Sequence, residues 1–133
     1  MKKIILPILV IFFFLCITDF IVNNFVLARV YDPMKSLLIL DTGARMSLIY
    51  LANIVHGIAL VGIYNMFIKK SVGSGIKLGV LYGLGYGFGF GFGFYAVMPT
   101  AFSIIITWII SCFVQISLSG LIIGYMNKEQ RPA

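Results

Sequence analysis

Charge is scarce in this chain of 133 residues: Asp, Glu, Lys and Arg make up 11% of it, against about 25% in an average soluble domain. Hydrophobic residues reach 61%, and mean hydropathy is +1.07. Too few polar side chains are present to cover a water-facing globule, which excludes both a soluble enzyme and a disordered tail. Acidic residues are scarcer still. Four Asp/Glu stand against ten Lys/Arg, giving a formal charge of +6. The bases occur singly or in pairs at the edges of apolar runs, where they meet headgroups and anionic lipid. No motif for DNA or RNA accompanies them, so the expected partner is the bilayer and not nucleic acid.

Histidine occurs once, at His56, so a bis-histidine haem would need a second chain. Cysteine occurs twice, at Cys16 and Cys112, each inside an apolar run and neither in a C-x-x-C pair. Redox or metal chemistry through cysteine is not expected. Zinc spacing, a nucleophile elbow and a Walker sequence are all missing. Asp41-Thr42-Gly43 spells the aspartic-protease triplet, but that chemistry depends on two such loops held by strands. Here the triplet precedes an apolar run and reads as a turn and helix cap. Gly73-x-Gly75-x-x-x-Gly79 lacks the strand that a dinucleotide loop requires. With Lys69, Lys70 and Lys77 nearby, a lipid phosphate at a helix N-terminus fits it better. Neither an enzyme nor a cofactor or metal site is expected.

Long apolar runs are what the chain does have. Four of them, at about residues 4–28, 44–68, 76–97 and 101–126, meet the roughly 20 residues that a membrane helix needs. Met1-Lys2-Lys3 and the run after it look like the start of a signal peptide. No A-x-A-like site follows, and the run continues to Ala28, so an uncleaved first span is expected. In the loop that follows, Tyr31-Asp32-Pro33 reads as a turn and residues 36–40 as an interfacial apolar patch. Asp41 or Thr42 is placed to cap the second helix. Short links elsewhere set sequential helices side by side and antiparallel. One side then holds Lys2, Lys3, Lys69, Lys70, Lys77, Lys128 and Arg131, and the other Arg29, Lys35 and Arg45. The positive-inside rule puts the first group, and both termini, in the cytoplasm. The expected fold is an all-α, four-helix transmembrane bundle forming a single domain.

The third span is rich in glycine. Gly75, Gly79, Gly83, Gly87 and Gly91 recur every four residues as one ridge, and Gly85, Gly89 and Gly93 form a second. Two residues turn a helix by about 200°, so the ridges lie nearly opposite each other. Glycine ridges let backbones approach closely in lipid, and two of them imply close neighbours on both sides. A strand reading of the Gly/aromatic alternation fails because a lone strand in hydrocarbon leaves its backbone unsatisfied.

Polar side chains inside the spans are few. The fourth span carries Ser103, Thr107, Ser111, Gln115 and Ser119 at four-residue spacing, read either as helix–helix glue or as a pathway lining. Asp19 is the only acid within a span. It falls at nearly the same depth as His56, with Tyr86 to Phe88 close by. A polar layer of Asp19, Asn23, Asn53, His56, Thr107, Ser111 and Gln115 follows. An Asp19–His56 hydrogen bond that fixes helix register is its structural version; a protonatable relay or small-solute site is its functional one.

Two functions are compatible with these features. One is a non-catalytic accessory or scaffold subunit that packs against other membrane helices or against itself. The other is an oligomeric conductor of protons or a small solute through the polar layer. Asp19-Phe20-Ile21 followed by Leu27 and Tyr31, then Tyr82-Gly83, Tyr95, Trp108 and the segment from Gly120 to Gly124, resembles a group of small uncharacterised bacterial four-span membrane proteins. The resemblance implies this fold and a multi-pass place in the bacterial cytoplasmic (inner) membrane, and no activity. Where members of that group carry His or a small polar residue, this chain has Asn23 or Asn24, which argues against a metal.

Overall fold

The computed structural model describes residues 2–28, 43–66, 70–98 and 100–127. Among them are four helices and no strand. Helix α1 runs Lys2–Ile21 and continues as a π-helical turn over Val22–Val26. Helices α2, α3 and α4 run Gly43–Met66, Val72–Val97 and Phe102–Asn127. All four are long and apolar enough to cross a membrane, since about 20 residues at 1.5 Å rise span the hydrocarbon. The protein is thus an all-α four-helix bundle with the character of a small multi-pass membrane protein. The expected turn at 31–33, the patch at 36–40 and the cap at Asp41 or Thr42 lie outside the described residues.

Helix α3 begins four residues before the expected start at 76, and Ser71 is the reason. Its hydroxyl accepts from the Ser74 N–H at 3.1 Å and its carbonyl from the Gly75 N–H at 3.1 Å. These bonds satisfy donors that the first helical turn would leave open. The Tyr64 hydroxyl donates to the same Ser71 carbonyl at 3.0 Å, tying the end of α2 to the start of α3. At the other end of α3, the Thr100 N–H donates to the Met98 carbonyl at 2.8 Å, and the chain reverses into α4.

Helices α3 and α4 form the tightest pair, and glycine is the cause. Gly75, Gly79, Gly83, Gly87 and Gly91 are all buried. A Cβ added at Gly79 would sit 2.8 Å from the Ile116 carbonyl oxygen and 3.0 Å from the Gly120 Cα. Gly120 and Gly124 return the contact, meeting the backbone of α3 at Gly75, Gly79 and Val72. No described glycine has positive φ, so these glycines serve approach and not turning. In lipid, where apolar burial gives no drive to associate, such backbone proximity supplies packing.

The apolar core fills the end of the bundle nearest Ser71. Ile11 and Leu15 of α1, Leu60 and Tyr64 of α2, Leu78 of α3 and Ile116 of α4 belong to it. A smaller cluster closes the opposite end, with Leu27 beyond the π turn against Ile104 of α4, and Val22 and Trp108 beside them. Between these two apolar blocks the bundle is open.

Candidate functional site: a cleft lined by all four helices

A cleft of about 340 Å³ occupies that opening, and all four helices contribute to it. From α1 comes Asp19, from α2 Asn53 and His56, from α3 Tyr86, and from α4 Gln115. Four of the seven residues expected in a polar layer therefore meet in one space. Asn23, Thr107 and Ser111 are not among its lining residues.

Asp19 is held by Asn53. The Asn53 amide donates from Nδ2 to Asp19 Oδ2 at 2.9 Å, and lies 3.7 Å from Cys16 Sγ. The structural version of the expected layer joined Asp19 to His56 by a hydrogen bond; among the described residues the side chain bonded to Asp19 is that of Asn53. His56 lies nearly one further turn along α2, within electrostatic reach of Asp19. Asn53, only 7% exposed, is the residue that reaches across to α1.

His56 packs on the aromatic face of α3. Its ring centre is 4.5 Å from that of Tyr86, at 80°, and 6.3 Å from that of Tyr82. Tyr82, Tyr86 and Phe90 stack in series along α3, with centres 6.4 and 5.9 Å apart. The four-residue spacing brings each ring over the next, one helical turn away. Gln115 faces this array from α4. It is 9% exposed, lines the cleft, and its amide makes no hydrogen bond among the described residues.

Asn23 and Thr107, left outside, have local partners. Asn23 and Asn24 sit in the π turn, where their amides donate to the Asp19 and Phe20 carbonyls at 2.9 Å. The Thr107 hydroxyl donates to the Ser103 carbonyl at 2.8 Å, and that of Ser119 to the Gln115 carbonyl at 2.9 Å. This is the intrahelical bonding of the glue reading. Geometry explains why the five-residue stripe divides. Four residues turn a helix by about 400°, so each step drifts about 40° and the full row about 160°. Ser103 is accordingly exposed while Ser119 is wholly buried.

Two features of the cleft lie outside the expected polar layer. Cys112, next to the expected Ser111, lines it instead; the drift of the stripe could have shown this. Leu48 and Ile49, near the start of α2, extend the apolar wall, and nothing in their pattern marks them. Among the described residues no group of three or more His, Cys, Asp or Glu could hold a metal ion.

The second glycine ridge meets nothing. Added Cβ atoms at Gly85, Gly89 and Gly93 would have open space within 4 Å. One ridge of α3 is thus filled by α4, and the other is bare. Lys70 and Lys77 flank the capped start of α3, whereas Lys69 lies outside the described residues. No protein-family model, curated protein or solved structure matches the chain.

Proposed function

We propose that this protein is a non-catalytic packing subunit of the bacterial cytoplasmic membrane, with both termini inside, which docks another transmembrane helix on α3. The bare ridge of Gly85, Gly89 and Gly93 carries this reading. Its opposite counterpart supports close backbone contact with α4 and leaves no spare room, so α3 is built for such contact on both faces. Helices with small residues at four-residue spacing associate in lipid by this route. A photo-crosslinker placed at Gly89, followed by gentle-detergent purification and mass spectrometry, tests it. The expected adduct joins Gly89 to a membrane helix of another protein and disappears in Gly85→Leu/Gly93→Leu. An adduct to a second copy would make the role self-association. A strictly monomeric species without adduct defeats the packing reading.

The cleft favours a second reading, a site for a proton or small solute, with Asp19 as acceptor and His56 beside it. The hydroxyls of Thr107 and Ser119 are committed to their own helix, so a continuous wire along α4 has less support than a local site. Flux into liposomes that vanishes in Asp19→Asn, with folding intact, would establish conduction. Absence of flux in the parent removes conduction and leaves a local site.

A further inference from the structure

We propose that the cleft binds a small monovalent organic cation with an apolar body, its charge held at Asp19 and its body beside the rings of Tyr86 and Phe90. This is independent of the docking ridge and deepens the solute reading by naming the ligand class.

Charge sets the sign. The lining contains one carboxylate and, among the described residues, no Lys or Arg. A carboxylate at membrane depth is costly unless something compensates it. Asn53 supplies one hydrogen bond, to Oδ2, and Oδ1 receives none among the described residues. An anion would be repelled, and a neutral solute would leave the carboxylate as it is. A cation neutralises it.

The remaining walls decide which cation. Hard divalent metal ions take six or more oxygens, and here the side-chain oxygens are those of Asp19, Asn53, Tyr86 and Gln115, scattered among apolar side chains. Leu15, Leu48, Ile49 and Ile116 supply an apolar surface, and Tyr86 and Phe90 supply π-systems that attract cations within about 6 Å of a ring centre. A volume of about 340 Å³ lies at the lower end of small-molecule sites, roughly 300–1,000 Å³. Gln115, itself nine-tenths buried, lines this space, and its amide, without a hydrogen bond among the described residues, offers both a donor and an acceptor to a polar substituent. Carboxylate, ring stack, apolar wall and open amide on four helices make a built site.

Equilibrium dialysis of the full chain in detergent against radiolabelled benzyltrimethylammonium tests the assignment. Neopentylbenzene, its neutral isostere of nearly the same shape, serves as competitor. Saturable binding at one cation per chain is expected, without displacement by neopentylbenzene. Asp19→Asn should bind at least about tenfold more weakly through loss of the charge pair. Tyr86→Leu should bind about threefold to tenfold more weakly, and Tyr86→Phe, which keeps the π-face, like the parent. The Tyr86 pair decides the matter should Asp19→Asn fail to fold. Non-saturable binding, undiminished binding in folded Asp19→Asn, or equal competition by neopentylbenzene overturns the proposal. Internal neutralisation of Asp19 by a charged His56 would produce the first of these results. Binding is read on solubilised protein and flux on liposomes, so the site and conduction can fail separately, as can the Gly89 adduct.

Discussion

Asn53 Nδ2 lies 2.9 Å from Asp19 Oδ2, which ties α1 to α2 through the only carboxylate side chain among the described residues. The bond has two consequences. It fixes the relative height of the two helices, and it compensates a group that hydrocarbon would otherwise penalise.

Replacing Asn53 with Leu therefore removes a donor and leaves the acceptor in place. Asp19 is half-buried, and a charged acceptor left there without its partner costs about 1–3 kcal/mol. Asn53→Leu should lower unfolding stability in detergent by that amount. In an Asp19→Leu background the same substitution should cost much less, because no carboxylate is then stranded. A double-mutant cycle measures the difference. Equal losses in both backgrounds would show that the 2.9 Å bond does not link the two residues energetically.

The bundle was legible in the sequence because its signals are long and one-dimensional. Twenty apolar residues in a row allow few structures in lipid, and the glycine period of α3 announces a close contact. The cleft was legible only in part. Depth follows from residue counts, which is how Asp19, Asn53, His56 and Gln115 came to be grouped. Azimuth does not follow so simply. A count by fours accumulates about 40° of drift per step, which separates Thr107 and Ser111 from Gln115 and brings Cys112 to the cleft. Nor does height alone choose partners. Asp19 and His56 share a level, yet Asn53 is the residue whose amide meets the carboxylate, and the His56 ring turns to Tyr86. The π turn at Val22–Val26 left no mark that periodicity could detect.

Ser71 performs two tasks with two different atoms, so its contributions can be separated. Its hydroxyl caps α3 through the Ser74 N–H, and its carbonyl accepts from Tyr64. Ser71→Ala should cost about 1 kcal/mol, the usual value of a lost N-cap, and should speed hydrogen exchange at the Ser74 amide. Tyr64→Phe should cost about 0.5–1.5 kcal/mol and leave exchange at Ser74 as in the parent. Faster exchange at Ser74 in both variants would mean that the cap depends on the Tyr64 contact and is not local.

The two ridges of α3 allow a matched pair of substitutions on one helix. Gly79→Ala and Gly89→Ala add the same methyl group at sites ten residues apart, both well inside Val72–Val97. At Gly79 the new carbon would lie 2.8 Å from the Ile116 carbonyl oxygen and 3.0 Å from Gly120, both backbone contacts that no rotamer can relieve. The helices must separate, at a cost of about 1–3 kcal/mol as in other overpacked contacts. At Gly89 the methyl meets open space, and the higher helix propensity of Ala should leave stability unchanged or raise it by up to about 1 kcal/mol. Thermal unfolding of the purified monomer, followed by circular dichroism in one detergent, gives both values. In the membrane the order should change if a partner helix occupies the bare ridge, because Gly89→Ala then weakens co-purification of the partner in gentle detergent while the isolated chain stays as stable as before. Equal destabilisation of the monomer by the two substitutions would contradict the assignment of one covered and one bare face to α3.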